Sequence, residues 1–240
     1  MSSSNACQAS GCELMQLVSG VPEFEFNVLE MSRRVDRFES GQDIFSQNSE
    51  ATGLHCLRSG HAMLTHVDAF GNKTAFRVVG PGEMMGYRSL FGDDVHTASA
   101  RALTSCTVCF FPKVSLFGIL DTTPILVRRF LHTLARDRGP ADGLLLRSQH
   151  TPVRVRLVYL LLILLNDYGS KLPDNSIEYR LPLKRHDIGS LIGSRPESVT
   201  RAIRELEHDG VAFFRHRNVS VPDMARLFAE ANISVADDST

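Results

Sequence analysis

A chain of 240 residues, 43% apolar and 22% charged, can fill two domains with separate cores and has the composition of a folded protein. A formal net charge of −1 excludes recognition of a polyanion by bulk charge alone, so any such partner must be met by placed side chains. The longest apolar run, Leu157 to Leu165, is about half a bilayer span and reads as a buried helix, so no membrane partner is expected.

No basic segment followed by an apolar stretch opens the chain, so no secretion signal is expected and the cytoplasm is the expected location. Five cysteines, an odd count, then argue for reduced thiols or a metal site. The first dozen residues read as a loose arm, and helical stretches follow near Glu13–Ser19 and Glu23–Arg33. From about Val35 to Phe111 the text turns to short strand-like runs punctuated by glycine: Leu54–Leu57, Met63–Val67, Thr74–Val79, Thr97–Leu103 and Thr107–Phe111. Ser59-Gly60, Asp68-Ala69-Phe70-Gly71-Asn72 and Gly80-Pro81-Gly82 read as the turns between them. Many short strands at regular spacing predict a β-barrel or roll.

Thr123-Pro124 opens a long helical pattern that reaches toward Gln149, with Leu126, Phe130 and Leu134 on its apolar face. A helix in this place either pairs with its twin in a dimer or packs on its own barrel. Gly139-Pro140 interrupts it, as a hinge or as a turn between two shorter helices. The division expected is an arm and roll over 1–122, a dimerisation helix over 123–150 and a third domain over 151–240.

That last domain carries the chemistry. A short helix over Lys184–Ile192 is followed by a bend at Gly193 and by Ser194-Arg195-Pro196-Glu197-Ser198-Val199-Thr200-Arg201. Ser194 and Glu197 have capping-box spacing, and Pro196 suits a first helical turn. Val199, Ile203 and Leu206 form one buried stripe, while Arg195, Glu197, Ser198, Thr200, Arg201 and Arg204 occupy the opposite face. This is a helix-turn-helix whose second helix presents base-reading groups: guanidinium forks for guanine, a carboxylate for cytosine, a hydroxyl residue for thymine. The competing reading of Glu197 and Arg201, four apart, is an ordinary surface ion pair. Val211–Phe214 and Val219–Val221 flank a basic tip with Arg215 and Arg217, a hairpin wing suited to phosphate. From Lys184 to Arg217 there are seven Lys/Arg against five Asp/Glu, a small excess, so placement must carry much of the binding to double-stranded DNA. No Gly-rich phosphate loop, H-x-x-x-H spacing or nucleophile elbow is present, so no enzymatic activity is expected.

Taken in this order, the residues resemble the CRP/FNR family of bacterial transcription regulators over nearly the whole chain. Ser59-Gly60, Pro81-Gly82-Glu83-x-x-Gly86, the long helix and the helix-turn-helix carry the resemblance. It implies an α+β fold: an N-terminal β-roll of the cyclic-nucleotide-binding jelly-roll type, a long dimerisation helix and a C-terminal winged helix-turn-helix. It also implies a homodimer, with Leu126, Phe130 and Leu134 at its interface, a palindromic DNA site and contact with RNA polymerase. Glu197, Thr200 and Arg201 look like the FNR-type reading set, which points to a TTGA-like half-site, two of them about one helical turn apart. Cyclic-nucleotide members carry a Glu and an Arg-Ser or Arg-Thr pair where this chain has Tyr87-Arg88 and His96-Thr97, so cyclic AMP is not expected as ligand. Ala102–Cys109 resembles the stretch that supplies FNR with its internal cluster ligand. Cys7, Cys12 and Cys109 are therefore candidate ligands of an iron–sulfur cluster, with Cys56, Cys106 or a non-cysteine group as the fourth. Other readings open at this point are a thiol redox switch, haem or another ligand, and Cys56 and Cys106 as plain core residues.

Overall fold

The computed structural model describes residues 12–147 and 151–231, with backbone alone over 136–147. The chain divides into two compact units at Gly139 and Pro140.

In the first unit, helices α1 (Glu13–Leu17) and α2 (Glu23–Ser32) precede β1 (Arg34–Phe38), β2 (Asp43–Phe45), β3 (Gly53–Ser59), β4 (Ala62–Val67), β5 (Lys73–Val79) and β6 (Met84–Met85). Then come α3 (Tyr87–Leu90), β7 (Ser99–Ala102), β8 (Cys106–Pro112), α4 (Lys113–Thr122) and α5 (Pro124–Arg147). The strands form two four-stranded sheets in the orders β1-β8-β3-β6 and β2-β7-β4-β5, the expected roll. Strand alternation sends Leu57, Met85, Cys106 and Val108 of the first sheet inward against Ile44, Ala62, Val79 and Ala100 of the second. The other face of the first sheet offers Leu54, Cys56, Met84, Cys109 and Phe111, and these are covered by Leu14, Leu29, Leu116, Ile119, Leu126 and Phe130 from α1, α2, α4 and α5. Helices thus seal one side of the roll, and the roll has two cores back to back.

Two expectations need correction here. Leu126 and Phe130 are 0% and 3% exposed within this helix-side core, and Leu134 packs against it. Leu126 and Phe130 close the roll on itself, while Leu134 is half-buried at its edge. Among the described side chains of α5, the apolar ones that face outward are Ile125, Val127 and Leu131, 40%, 42% and 59% exposed. The helix pattern gave the right stripe but not the surface covering it. Gly139-Pro140 does not end the helix: α5 continues to Arg147. Proline removes one backbone bond from a helix, and the division between the units falls at this pair.

The second unit contains α6 (Val153–Tyr168), β9 (Ser170–Lys171), β10 (Ile177–Arg180), α7 (Arg185–Leu191), α8 (Pro196–His208), β11 (Phe213–Arg215), β12 (Asn218–Val221) and α9 (Met224–Glu230). Leu157, Leu161 and Leu164 of α6 and Val199, Ile203 and Leu206 of α8 are all buried. The wing is not a lone hairpin. Its strands belong to a sheet of order β11-β12-β10-β9. Among the described residues no helix is long and apolar enough to cross a membrane.

Candidate nucleic-acid interface and sensory core

Three local devices fix α8. Gly193 turns the chain at φ +61°, the left-handed region where glycine is unstrained. Gly189 of α7 lets the backbone close in: Ser194 N donates to its carbonyl at 2.8 Å, and a Cβ there would stand 2.6 Å from the Ser194 oxygen. Arg156 of α6 donates to the Ile192 and Gly193 carbonyls at 2.5 and 3.1 Å, pinning the end of α7. Neither Gly189 nor Arg156 carries a sequence signal, because each acts through a neighbour brought close by folding.

The capping box expected at Ser194 and Glu197 does not form. Pro196 is the first helical residue and forces its predecessor into extended backbone, so Arg195 becomes the N-cap at φ −79°, ψ 150°. Ser194 then lies one residue too early, and α8 has no side-chain cap. A carboxylate brace appears instead on α7, where Asp187 Oδ2 accepts from Lys184 N at 2.8 Å.

The reading face matches expectation in exposure. Arg195, Glu197, Arg201 and Arg204 are exposed, and Ser198 and Thr200 half-buried, while Val199, Ala202, Ile203 and Leu206 face inward. Among the described residues Glu197 and Arg201 form no ion pair, so the surface-pair alternative is not the one adopted. Their charged ends face solvent. Thr200 is different, since its hydroxyl donates to the Pro196 carbonyl at 2.9 Å. It therefore offers outward only its methyl group and its acceptor lone pairs.

The basic tip follows on the same unit. Arg215 pairs with Asn218 across the β11–β12 turn, and Asn218 pairs with Arg180 of β10. Arg180, Arg215, His216, Arg217 and Asn218 line one open depression. Arg180 was not among the sequence candidates, because only the β10–β12 pairing places it at the tip. Leu181 N donates to the Arg217 carbonyl at 2.6 Å, Glu207 of α8 accepts from Phe214 N at 3.0 Å, and Arg185 of α7 lies over the Phe214 ring at 5.5 Å. The wing is thus tied to α8 directly through Glu207 and to α7 through Arg185.

In the first unit the sulfur atoms meet in the helix-side core. Cys56 and Cys109 are register partners across β3 and β8, and Cys12 joins them just ahead of α1. Cys12 and Cys56 are bonded as a disulfide, the arrangement that the thiol-switch alternative requires. Arg33 Nη1 lies 3.7 Å from Cys109 Sγ and its other terminal nitrogen pairs with Glu30 at 3.2 Å. Cys106 belongs to the inter-sheet core, where burial pushes its thiol up. Of the three proposed cluster ligands, Cys7 lies outside the described residues, Cys12 is bonded to Cys56, and Cys109 sits beside that bond. Two sulfurs bonded to each other are not thiolate ligands, and among the described residues no group of three His, Cys, Asp or Glu could hold a metal ion. With Cys12 and Cys56 bonded to each other and Cys7 outside the described residues, the described sulfurs offer one thiol, Cys109, at this place.

The places of the cyclic-nucleotide pair hold other chemistry. Tyr87 is buried and its hydroxyl accepts from Arg77 at 3.2 Å, while Arg88 is exposed. His96 is 2% exposed and stacks on Phe45 at 4.0 Å, Phe45 meets His55 at 5.1 Å, and His55 meets Phe110 at 5.0 Å with Arg34 over the far side. The Nδ1 atoms of both histidines are buried without a hydrogen-bond partner. Burial, reinforced by His96 and Arg34, holds His55 down at about 4 against a small opposing pull from Asp36, and burial lowers His96. Both rings are neutral near pH 7, unlike a guanidinium.

Comparison with known proteins agrees with both halves. Residues 35–123 match the cyclic nucleotide-binding domain and residues 155–229 the Crp-like helix-turn-helix domain. The chain is 28% identical over 207 residues to the nitrogen fixation regulation protein FixK of Bradyrhizobium diazoefficiens, covering 84% of this chain and 83% of that one. It is 23% identical over 235 residues to the fumarate and nitrate reduction regulatory protein of Vibrio cholerae, covering 95% and 92%. The solved structure of FixK2 from Bradyrhizobium japonicum superposes with a TM-score of 0.75 at 19% identity, over 85% of this chain and 98% of that one.

Proposed function

The chain belongs to the CRP/FNR family and is a DNA-binding transcription regulator with an effector-binding roll; from that premise we propose a cytoplasmic homodimer that reads a palindrome of TTGA-like half-sites and responds to thiol redox state. The observation that carries the reading role is the unpaired, outward pair Glu197 and Arg201 at the first turns of a helix whose back is fully buried. Glu197 accepts from a cytosine amino group and Arg201 forks onto guanine O6 and N7, while the Thr200 methyl meets thymine. Arg180, Arg215 and Arg217 take the flanking phosphate and set register without reading sequence. The dimer forms along α5 through its outward Val127 and Leu131, and the bound pair meets RNA polymerase at the promoter.

The Cys12–Cys56 bond favours the thiol reading of the input over a cluster or a cyclic nucleotide. A disulfide in a cytoplasmic protein is characteristically transient and redox-sensing. The reading role is tested with Arg201→Ala on duplexes carrying single base-pair changes, at fixed salt. It is expected to lose about 1–3 kcal/mol on the intact site and to lose its preference for the guanine it contacts. A uniform loss on every duplex defeats the assignment.

A further inference from the structure

Resting on the thiol reading, we propose that the segment Cys12–Ser19 is a strap that reports the state of the Cys12–Cys56 bond to the long helix, with Arg129 as the positioning residue that receives it. One end of the strap is covalent, at Cys56 of β3. Next to it Glu13 clasps the β5–β6 turn, its N donating to the Gly82 carbonyl at 2.8 Å and its Oε2 accepting from Met84 N at 2.9 Å. Leu14 and Val18, 0% and 2% exposed, seat the middle of the strap in the helix-side core. At the far end Arg129 Nη1 donates to the carbonyls of Leu17 and Ser19, each at 2.6 Å. Arg129 belongs to α5, on the turn that also supplies Leu126 and Phe130 to the same core. An unbroken run of contacts therefore leads from the Cys12–Cys56 bond to the helix that continues to Arg147.

The chemical step is a two-electron thiol–disulfide exchange with a small dithiol. One reagent thiolate attacks a sulfur of the Cys12–Cys56 bond and expels the other as thiolate, which takes a proton. The reagent's second thiolate displaces the mixed disulfide, so the reagent leaves as a cyclic disulfide and Cys12 and Cys56 are both thiols. Cys12 and Cys56 are each 1% exposed, so attack requires the strap to lift. With the bond closed, a loop spanning 44 positions is fixed and the strap stays seated on Arg129. With it open, the strap exchanges on and off α5, and the fraction of chains with α5 held falls. Affinity for DNA falls by that fraction.

The test uses the full-length protein, dithiothreitol and a duplex with two TTGA half-sites. Wild type is expected to bind about tenfold more weakly after reduction, within the range usual for coupled sites. Arg129→Gln is expected to bind the duplex with less than a twofold difference between its two redox forms, and to be reduced several-fold faster. A full tenfold difference retained in Arg129→Gln overturns the strap and leaves the thiol input standing. No difference in wild type overturns the thiol input itself. Should Arg129→Gln fail to fold, hydrogen exchange on wild type decides: amides of Leu14–Val18 losing protection on reduction support the strap, and unchanged protection overturns it.

Discussion

The recognition helix and the sulfur core are built on opposite terms. On α8 the charged groups Glu197, Arg201 and Arg204 are exposed, held outward by a buried apolar back. In the roll the sulfur groups proposed as the input are buried, two of them bonded to each other, and drawn from α1's leading edge, β3 and β8. A reading surface must keep its polar ends free for bases, because a group already satisfied at home gains little from a partner. A sensor must do the reverse, since a buried bond that changes state alters the packing of everything around it. Output is therefore local and input is collective.

This contrast can be broken in a definite order. Phe111, 0% exposed beneath the helices, is the strongest probe of the collective half: Phe111→Ala is expected to cost about 3–5 kcal/mol in chemical denaturation. The second unit should keep its own transition, and loss of both transitions together would contradict the division into two units. Next comes the pair of neutral histidines. Because the folded pKa of His55 is depressed to about 4, its neutral form is free of penalty above about 6.5, and stability falls as pH drops from there toward 4. The sign follows from proton uptake, which the unfolded chain performs first. By pH 4 this removes about 3 kcal/mol. His55→Leu should flatten that acid limb in denaturation curves between pH 7 and 4, while an unaltered limb would place the loss at other groups.

The smaller effects lie on the reading side. Gly193→Ala places a side chain at φ +61° and is expected to cost about 1–2 kcal/mol of the second unit's stability, with the roll unaffected. Circular dichroism melts of the isolated effect would show it, and a neutral result would mean that the turn relaxes. Smallest is Arg217→Gln at the basic tip. It should weaken all duplexes alike and reduce the slope of log affinity against log salt by about 1. A change in base preference would move Arg217 from phosphate contact to base contact.

How much of each half could be read beforehand follows from the same contrast. On α8, Val199, Ile203 and Leu206 announce their common face through helical period, and the exposed residues follow as its complement. Period also located the strands, since Cys106 and Cys109 do face opposite cores as alternation requires. What it could not give was the company those residues keep. That Cys12 bonds to Cys56 depends on two segments 44 positions apart, and no spacing rule encodes it. Leu126 and Phe130 show the same limit, as an apolar stripe looks identical whether it meets a twin or its own roll. The Ser194–Glu197 pair failed for a nearer reason: Pro196 moved the helix start by one residue. Arg180 was hidden because β9 and β10 are too short to announce themselves, and only pairing with β12 brings it to the tip.

The bonds that tie the basic tip to α8 have a geometric result. Leu181 to Arg217, Phe214 to Glu207 and Arg185 over Phe214 make the second unit a gauge of one setting, in which the separation of basic tip and α8 is constant. An operator with a base pair added between anchor and half-site cannot be measured by such a gauge. In the proposed homodimer, base pairs added between the two halves load only the junction between protomers, so tolerance to that spacing belongs to the pair and not to a single head.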